Sequence, residues 1–214
     1  MIPDLINSWP RDMYYLPFVR RINRDRKLFN KVITVITEGS PAHDFTQDII
    51  ASIPESMVIS PNMLELTAGG KDWRDVAVNI ALGKTTSTHI LFMEQDFFVE
   101  DGFFDKLFRL GKDFDTIGFK DSNRLHPACL LVKKDILSKT SKDFSAHPPI
   151  GDHFAKVTEE LMEIGSWTTL QELGLGGWYH LASLTFNIRL EEDGKPVQYR
   201  PDEYKLYKLM TQLL

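Results

Sequence analysis

The sequence predicts an α/β fold: a single domain with a mostly parallel central sheet flanked by helices. Three observations predict it. Strand and helix signals alternate over the first 110 residues. The run Lys31-Val32-Ile33-Thr34-Val35-Ile36-Thr37 is β-branched almost throughout, as a strand buried on both faces would be. His89-Ile90-Leu91-Phe92-Met93 is a second apolar run, ending abruptly in polar residues. A chain of 214 residues can build one such domain with a full core, and no break in composition argues for two.

Taken in order, residues 1–30 read as an N-terminal helical and basic segment, with Arg20, Arg21, Arg24, Arg26 and Lys27 on a solvated face or a positive rim. The domain proper is expected over 31–200. Its first strand is Lys31 to Thr37, broken by Glu38-Gly39-Ser40-Pro41, with Asp44 capping a short helix. Ser56 to Ser60 reads as the next strand, stopped by Pro61. Asp72 then caps a helix with an apolar stripe at Trp73, Val76, Ala77, Ile80 and Ala81, and Gly83 stands where a terminating glycine would. Phe103, Leu107 and Leu110 mark the helix after the His89–Met93 strand. Strands follow at Thr116–Phe119 and Ala128–Val132, and a short helix at Asp135–Lys139. A helix over about 152–164 buries Phe154, Val157, Leu161 and Ile164. Leu181–Leu190 reads as a late strand, and residues 201–214 as a C-terminal helix.

Composition excludes several classes. A net charge of −5 gives no support for general nucleic-acid binding, although a local Arg/Lys pocket can still hold phosphate. The one cysteine, Cys129, lies in an apolar run, so a buried inert thiol is expected and neither a disulfide framework nor a cysteine zinc site can form. No apolar stretch approaches the roughly 18 residues of a membrane span. The opening Met1-Ile2-Pro3-Asp4 lacks the charged and apolar regions of a secretory leader, so a cytoplasmic protein is expected.

The chemistry concentrates where strands end, because open α/β sheets bind ligands at the carboxyl ends of their strands. Glu94 and Asp96 flank Gln95 immediately after the His89–Met93 run. Two carboxylates beside an apolar strand are costly unless something compensates them, and a divalent cation would do so; a surface turn capping the next helix is the plainer alternative. Asp152 opens a helix after His147-Pro148-Pro149 and reads either as its N-cap or as an acid facing a ligand. His180 follows Trp178 and Tyr179 beside the glycines of 174–177, as a packed imidazole or as a ligand.

The order Gly69-Gly70, Arg74, Asn79, Gly83, the His89–Met93 strand and Glu94-Gln95-Asp96 resembles the GT-A glycosyltransferases of the family 2 type. The resemblance spans roughly residues 31–190 and is best over 69–101. It implies a GT-A-like, Rossmann-related domain that moves a sugar from a nucleotide-diphosphate donor, UDP-sugar favoured, to an acceptor hydroxyl. It further implies Mn²⁺ or Mg²⁺ held by Glu94 and Asp96, with His180 completing the site. Thr37 and Glu38 would lie near base and ribose, Arg74 at the diphosphate, and Gln95 among the donor-binding residues. Asp152 would be the general base of an inverting reaction, and His126-Pro127 would fall on the acceptor side. Glu94 replaces the family's first aspartate, which leaves metal dependence open, and Arg74 has a second reading as a surface arginine pairing with Asp72 or Asp75. Two other functions stay open: a non-catalytic GT-A-like binding or assembly protein, and a sugar nucleotidyltransferase. The segment Thr37 to His43 disfavours the last, because it lacks the basic residue such enzymes carry after the first strand.

Overall fold

The structure is a computed structural model of the chain and describes residues 1–8, 16–35, 56–59, 72–94, 96–121, 123–146, 153–181, 187, 190–191, 193–198 and 201–212. Among these residues the strands are β1 (Asp4–Ser8), β2 (Val32–Val35), β3 (Ser56–Ile59), β4 (His89–Glu94), β5 (Phe97–Val99), β6 (Thr116–Asp121), β7 (Arg124–Lys133), β8 (Trp167–Thr169) and β9 (Trp178–His180). The α-helices are α1 (Leu16–Arg24), α2 (Trp73–Lys84), α3 (Phe103–Leu110), α4 (Lys134–Leu137), α5 (Ala155–Ile164) and α6 (Pro201–Gln212). Seven strands form one sheet in the order β3-β2-β1-β4-β7-β6-β8, and β5 pairs with β9 in a second, two-stranded sheet. The large sheet is mostly parallel; only β7 runs against its neighbours β4 and β6. The fold is the expected single α/β domain.

The first strand is not where the sequence places it. Asp4–Ser8, read as part of an N-terminal helical and basic segment, is the third strand in from the β3 edge, parallel to β2 on one side and β4 on the other. Leu5 and Ile6 are almost fully buried on opposite faces, as alternation along a central strand requires. Two polar residues within it make internal side-chain hydrogen bonds. The Asp4 carboxylate accepts from the Thr86 and Ser87 amides at 2.6 and 2.8 Å and from Asn30 Nδ2 at 2.7 Å. Asn7 Nδ2 donates to Thr34 Oγ1 at 3.3 Å. A charged hydrogen-bonded anchor of this kind stabilises what two apolar side chains alone would not.

Helices cover both faces. Ala77, Val78 and Ala81 of α2 pack with Ile6, Ile33 and Ile90 on one face, joined by Phe154, Val157 and Leu161 at α5. Ile22 of α1 and Phe103, Phe104 and Leu107 of α3 pack with Leu5, Val32 and Leu91 on the other. The buried line on α2 differs from the expected stripe: Val78 is buried and Ile80 is 38% exposed. Two alanines at the contact allow close approach to the sheet, and that approach sets the helix rotation. Gly83 lies inside α2 instead of ending it. On α5 the stripe holds at Val157 and Leu161 but Ile164 is exposed. Of the expected late strand Leu181–Leu190, residues 182–186, 188 and 189 lie outside the described residues, whereas Asn187 and Leu190, with Glu191, are helical, and a turn closes after them with Lys195 N donating to Leu190 O at 2.7 Å. Cys129 is buried on β7, and burial holds its thiol far above the ordinary range, which fits the inert role. No helix among the described residues is long and apolar enough to cross a membrane.

The far edge of the sheet is locked by Asp115. Its carboxylate accepts from Lys133 Nζ at 2.8 Å and from both the amide and hydroxyl of Ser166 at 2.9 Å, tying β7 to the start of β8. These donors hold its carboxyl down at about 2. The folded state therefore binds the carboxylate form better than the unfolded chain does. That stabilisation is complete above the ordinary carboxyl range and is lost as pH falls through about 2. Asp115→Asn is expected to lower Tm at pH 7 by roughly 2–4 °C. In thermal melts from pH 7 to pH 2 the gap between variant and wild type should close below about pH 4.

Candidate active site

The site begins where β4 ends. Glu94 is the last residue of β4 and Phe97 the first of β5, so within three residues the chain leaves the large sheet and enters the small one. β5 runs antiparallel to β9 with Phe97 opposite His180. The pairing is extended by one bond, Leu181 N donating to Asp96 O at 3.0 Å. This register carries His180 to the acidic turn: its Nε2 lies 3.8 Å from Asp96 Oδ1. The entry to β9 needs glycine. Gly177 has φ +80°, its carbonyl accepts from Glu100 N at 2.7 Å, and a Cβ there would stand 3.1 Å from Glu100 Oε2.

A third residue joins from β7. Ligating atoms of Glu94, His126 and His180 all lie within 4.8 Å of one another. His126 reaches the cluster because the β6–β7 ladder is irregular: Gly118 pairs with Leu130, but the next residue, Phe119, pairs with His126. Three residues of β7 are taken up in this bulge, which re-aims the strand. Gly118 is required at its start, since a Cβ would meet Leu125 Cβ at 3.0 Å. The His126 ring is then fixed by Ala128 N, which donates to Nδ1 at 3.1 Å. Because Nδ1 accepts, the neutral ring carries its proton on Nε2.

Aromatic rings wall the cluster. Phe119 stands edge-on to His180 at 5.1 Å and to His126 at 5.9 Å, and the two imidazoles are 5.1 Å apart. Trp178 stacks on Phe97 at 5.5 Å, and its Nε1 donates to Leu175 O at 2.6 Å. Trp178 is therefore committed to packing, whereas Tyr179 is exposed and donates its hydroxyl to Glu100 at 3.0 Å.

These walls desolvate the acids. The Asp96 side chain keeps 19% of its exposure and that of His180 only 9%. Asp96 Oδ1 is buried without a hydrogen-bond partner among the described residues. Burial pushes the Asp96 carboxyl up to about 7, against the opposing pull of its own backbone amide. A buried oxygen of this kind is an uncompensated cost to folding, the situation a bound cation would relieve. Oxygen and imidazole nitrogen donors together also suit a divalent metal.

Several expected site residues fall elsewhere. Thr37, Glu38, Gln95 and Asp152 lie outside the described residues, as does the expected helix cap Asp44. Arg74 is in the first turn of α2, its side chain also outside them. Thr37 and Glu38 follow the second strand, not the first. His153, to which the sequence assigns no signal, has Nδ1 3.5 Å from Asp72 Oδ2. The same carboxylate lies 3.5 Å from Ala146 N, and Phe144 N donates to Asp75 at 2.8 Å. The start of α2 is thus tied to residues 144–146 and to His153, on either side of residue 152. His126 is the member of the cluster that sequence reasoning left on the acceptor side. Its signal lay in Gly118 and Pro127, which mark a disturbed ladder.

Parallel β1, β2 and β4 with an acidic turn at the carboxyl end of β4 make this a GT-A-like fold. No protein-family model and no curated protein matches the sequence. Solved structures do match. TarS from S. aureus superposes with a TM-score of 0.59 at 10% identity, over 88% of this chain and 38% of TarS. Glucosyl-3-phosphoglycerate synthase from Mycobacterium tuberculosis, solved with Mn²⁺, UDP and glucosyl-3-phosphoglycerate, superposes with a TM-score of 0.54 at 12% identity, over 91% of this chain and 81% of that one. The chain spans little more than a third of the length of TarS. At such identities the likeness establishes the fold, which is the one the sequence resemblance implies.

Removing the uncompensated carboxylate should make the protein more stable. Asp96→Asn is expected to raise Tm by roughly 2–4 °C in the metal-free protein, about 1 kcal/mol for a chain of this size. Differential scanning calorimetry in the presence of a chelator measures it, and a clear fall in Tm would contradict the account of Asp96.

Proposed function

We propose that this protein is a metal-dependent glycosyltransferase, moving a sugar from a nucleotide-diphosphate donor to an acceptor hydroxyl with inversion. The observation that carries the reading is the meeting of Glu94, His126 and His180 at the carboxyl end of β4, with Asp96 Oδ1 3.8 Å from His180 Nε2, in a GT-A-like sheet. Support also comes from the mycobacterial synthase of similar fold, whose structure holds Mn²⁺ and UDP.

In this reading Glu94, Asp96 and His180 hold the cation. A mixed oxygen and imidazole set favours Mn²⁺ over Mg²⁺. When bound, the cation supplies Lewis-acid neutralisation of charge on the diphosphate leaving group. Thr37, Glu38 and Gln95 contact the donor, and Arg74 reaches its diphosphate. Asp152 takes the proton of the acceptor hydroxyl as that oxygen bonds to the anomeric carbon. The bond from that carbon to the diphosphate oxygen breaks, and the diphosphate leaves with the electron pair. A cytoplasmic location belongs to the same proposal.

Calorimetric titration with UDP, with and without Mn²⁺, tests the site. Metal-dependent binding is expected, weakened about tenfold or more in Glu94→Gln and in His180→Ala. Slow hydrolysis of a UDP-sugar without acceptor should disappear in Asp96→Ala. Equal UDP affinity with and without Mn²⁺ would remove the metal from the proposal, and no affinity for any nucleotide would favour a binding or assembly role.

A further inference from the structure

The cluster at the end of β4 has a second side that the metal reading does not use. Arg124 opens β7, two residues before His126. Successive residues of a strand point to opposite faces, so Arg124 and His126 share one and Leu125 takes the other. Leu125 is fully buried with Leu130 and Phe154 in the core on the α5 side. The His126 ring instead meets Phe119 and His180, which places the Arg124 side of the strand with the candidate site.

Arg124 Nη1 is buried and has no hydrogen-bond partner among the described residues, and no ion pair joins Arg124 to an acid among them. Its cross-strand partner in register, Asp121, is exposed. A guanidinium cannot lose its charge to escape burial, so an unpaired buried Nη1 is costly unless a ligand oxygen meets it. His126 points to the same kind of ligand. Its Nδ1 accepts from Ala128 N, so it presents a proton, not a lone pair, at Nε2. Two donors, one permanently cationic, thus share a strand face, and the ring of one of them, His126, lies with Glu94 and His180.

We propose that Arg124 and His126 form an anion-binding edge, holding a phosphoryl group of the ligand opposite the acids. The location of the edge rests on the proposed function; the anion chemistry rests on Arg124 and His126 themselves. The phosphoryl group has two possible sources, the diphosphate of the donor or a phosphate on the acceptor.

Titration calorimetry with three probes tests the proposal: pyrophosphate alone without metal, UDP with Mn²⁺, and inorganic phosphate added to the UDP–Mn²⁺ complex. Wild type is expected to bind pyrophosphate, with Arg124→Gln weaker by roughly tenfold to a hundredfold. His126→Gln, which keeps a donor, should lose less than His126→Ala. Tm of Arg124→Gln should equal or exceed that of wild type; a packing role would lower Tm and leave the titrations unchanged. A loss in the UDP titration assigns the anion to the donor. A loss confined to phosphate added over UDP assigns it to the acceptor. Wild-type affinity of Arg124→Gln for all three probes overturns the proposal. Pyrophosphate binding without UDP binding upholds the edge and overturns the transferase reading, whereas a wild type that binds none overturns both. Should Arg124→Gln fail to fold, Arg124→Lys, which keeps the charge but loses the planar fork, carries the same test with a smaller expected loss.

Discussion

The passage of the chain from β4 into β5 is the constraint on which the candidate site depends. Between Glu94 and Phe97 the backbone leaves a seven-stranded sheet, where its polar groups are paired on both sides, and must find new partners at once. β9 supplies them, through the Phe97–His180 register and the bond from Leu181 N to Asp96 O. The need to satisfy backbone groups therefore brings a histidine 84 positions beyond Asp96 to within 3.8 Å of its carboxylate. The aromatic stack of Phe97 and Trp178 holds the small sheet against the large one, so the same packing that fixes the turn also strips water from its acids.

Much of this was legible in the sequence, and what was not has a physical reason. β4 and β2 announce themselves because each is a continuous apolar run, which only a strand buried on both faces requires. The acidic turn is legible because carboxylates directly after such a run need an explanation. β1 is hidden because its stability comes from elsewhere: Asp4, Asn7 and Ser8 lower its strand propensity, and the compensation is the Asp4 anchor to the Thr86 and Ser87 amides. That contact spans more than 80 residues, and no local pattern reports it. With β1 hidden, the first strand legible in the sequence, Lys31–Thr37, is the second strand of the chain, β2.

His126 and Arg124 show a different limit. Alternation along a strand fixes faces only while the ladder is regular, and the bulge after Gly118 breaks the count in the middle of β7. Until that register is known, His126 belongs equally to a loop, a core or a site. His180 stands between these cases. Its neighbours Trp178 and Tyr179 suggested a packed imidazole, and it is packed, with Phe119 and Phe97 against its ring. Packing and reach toward Asp96 coexist because the histidine ring has a face to bury and an edge to offer.

The electrostatics of the cluster make one further point about the kind of ligand it fits. Asp96 Oδ1 and Arg124 Nη1 are both buried without hydrogen-bond partners among the described residues, although they carry opposite charges. Had stability alone shaped this region, the two atoms would be hydrogen-bonded or replaced by apolar groups, since a buried polar atom without a partner opposes folding. They lie on different elements, the acid 3.8 Å from His180 at the β5–β9 pairing and the arginine at the start of β7. A ligand of a single sign would relieve one of them and leave the other as it was. A ligand that presents both signs, a phosphoryl group with its counter-cation, relieves both at once, and it does so only when bound in the one orientation that sets cation to acid and phosphate to arginine.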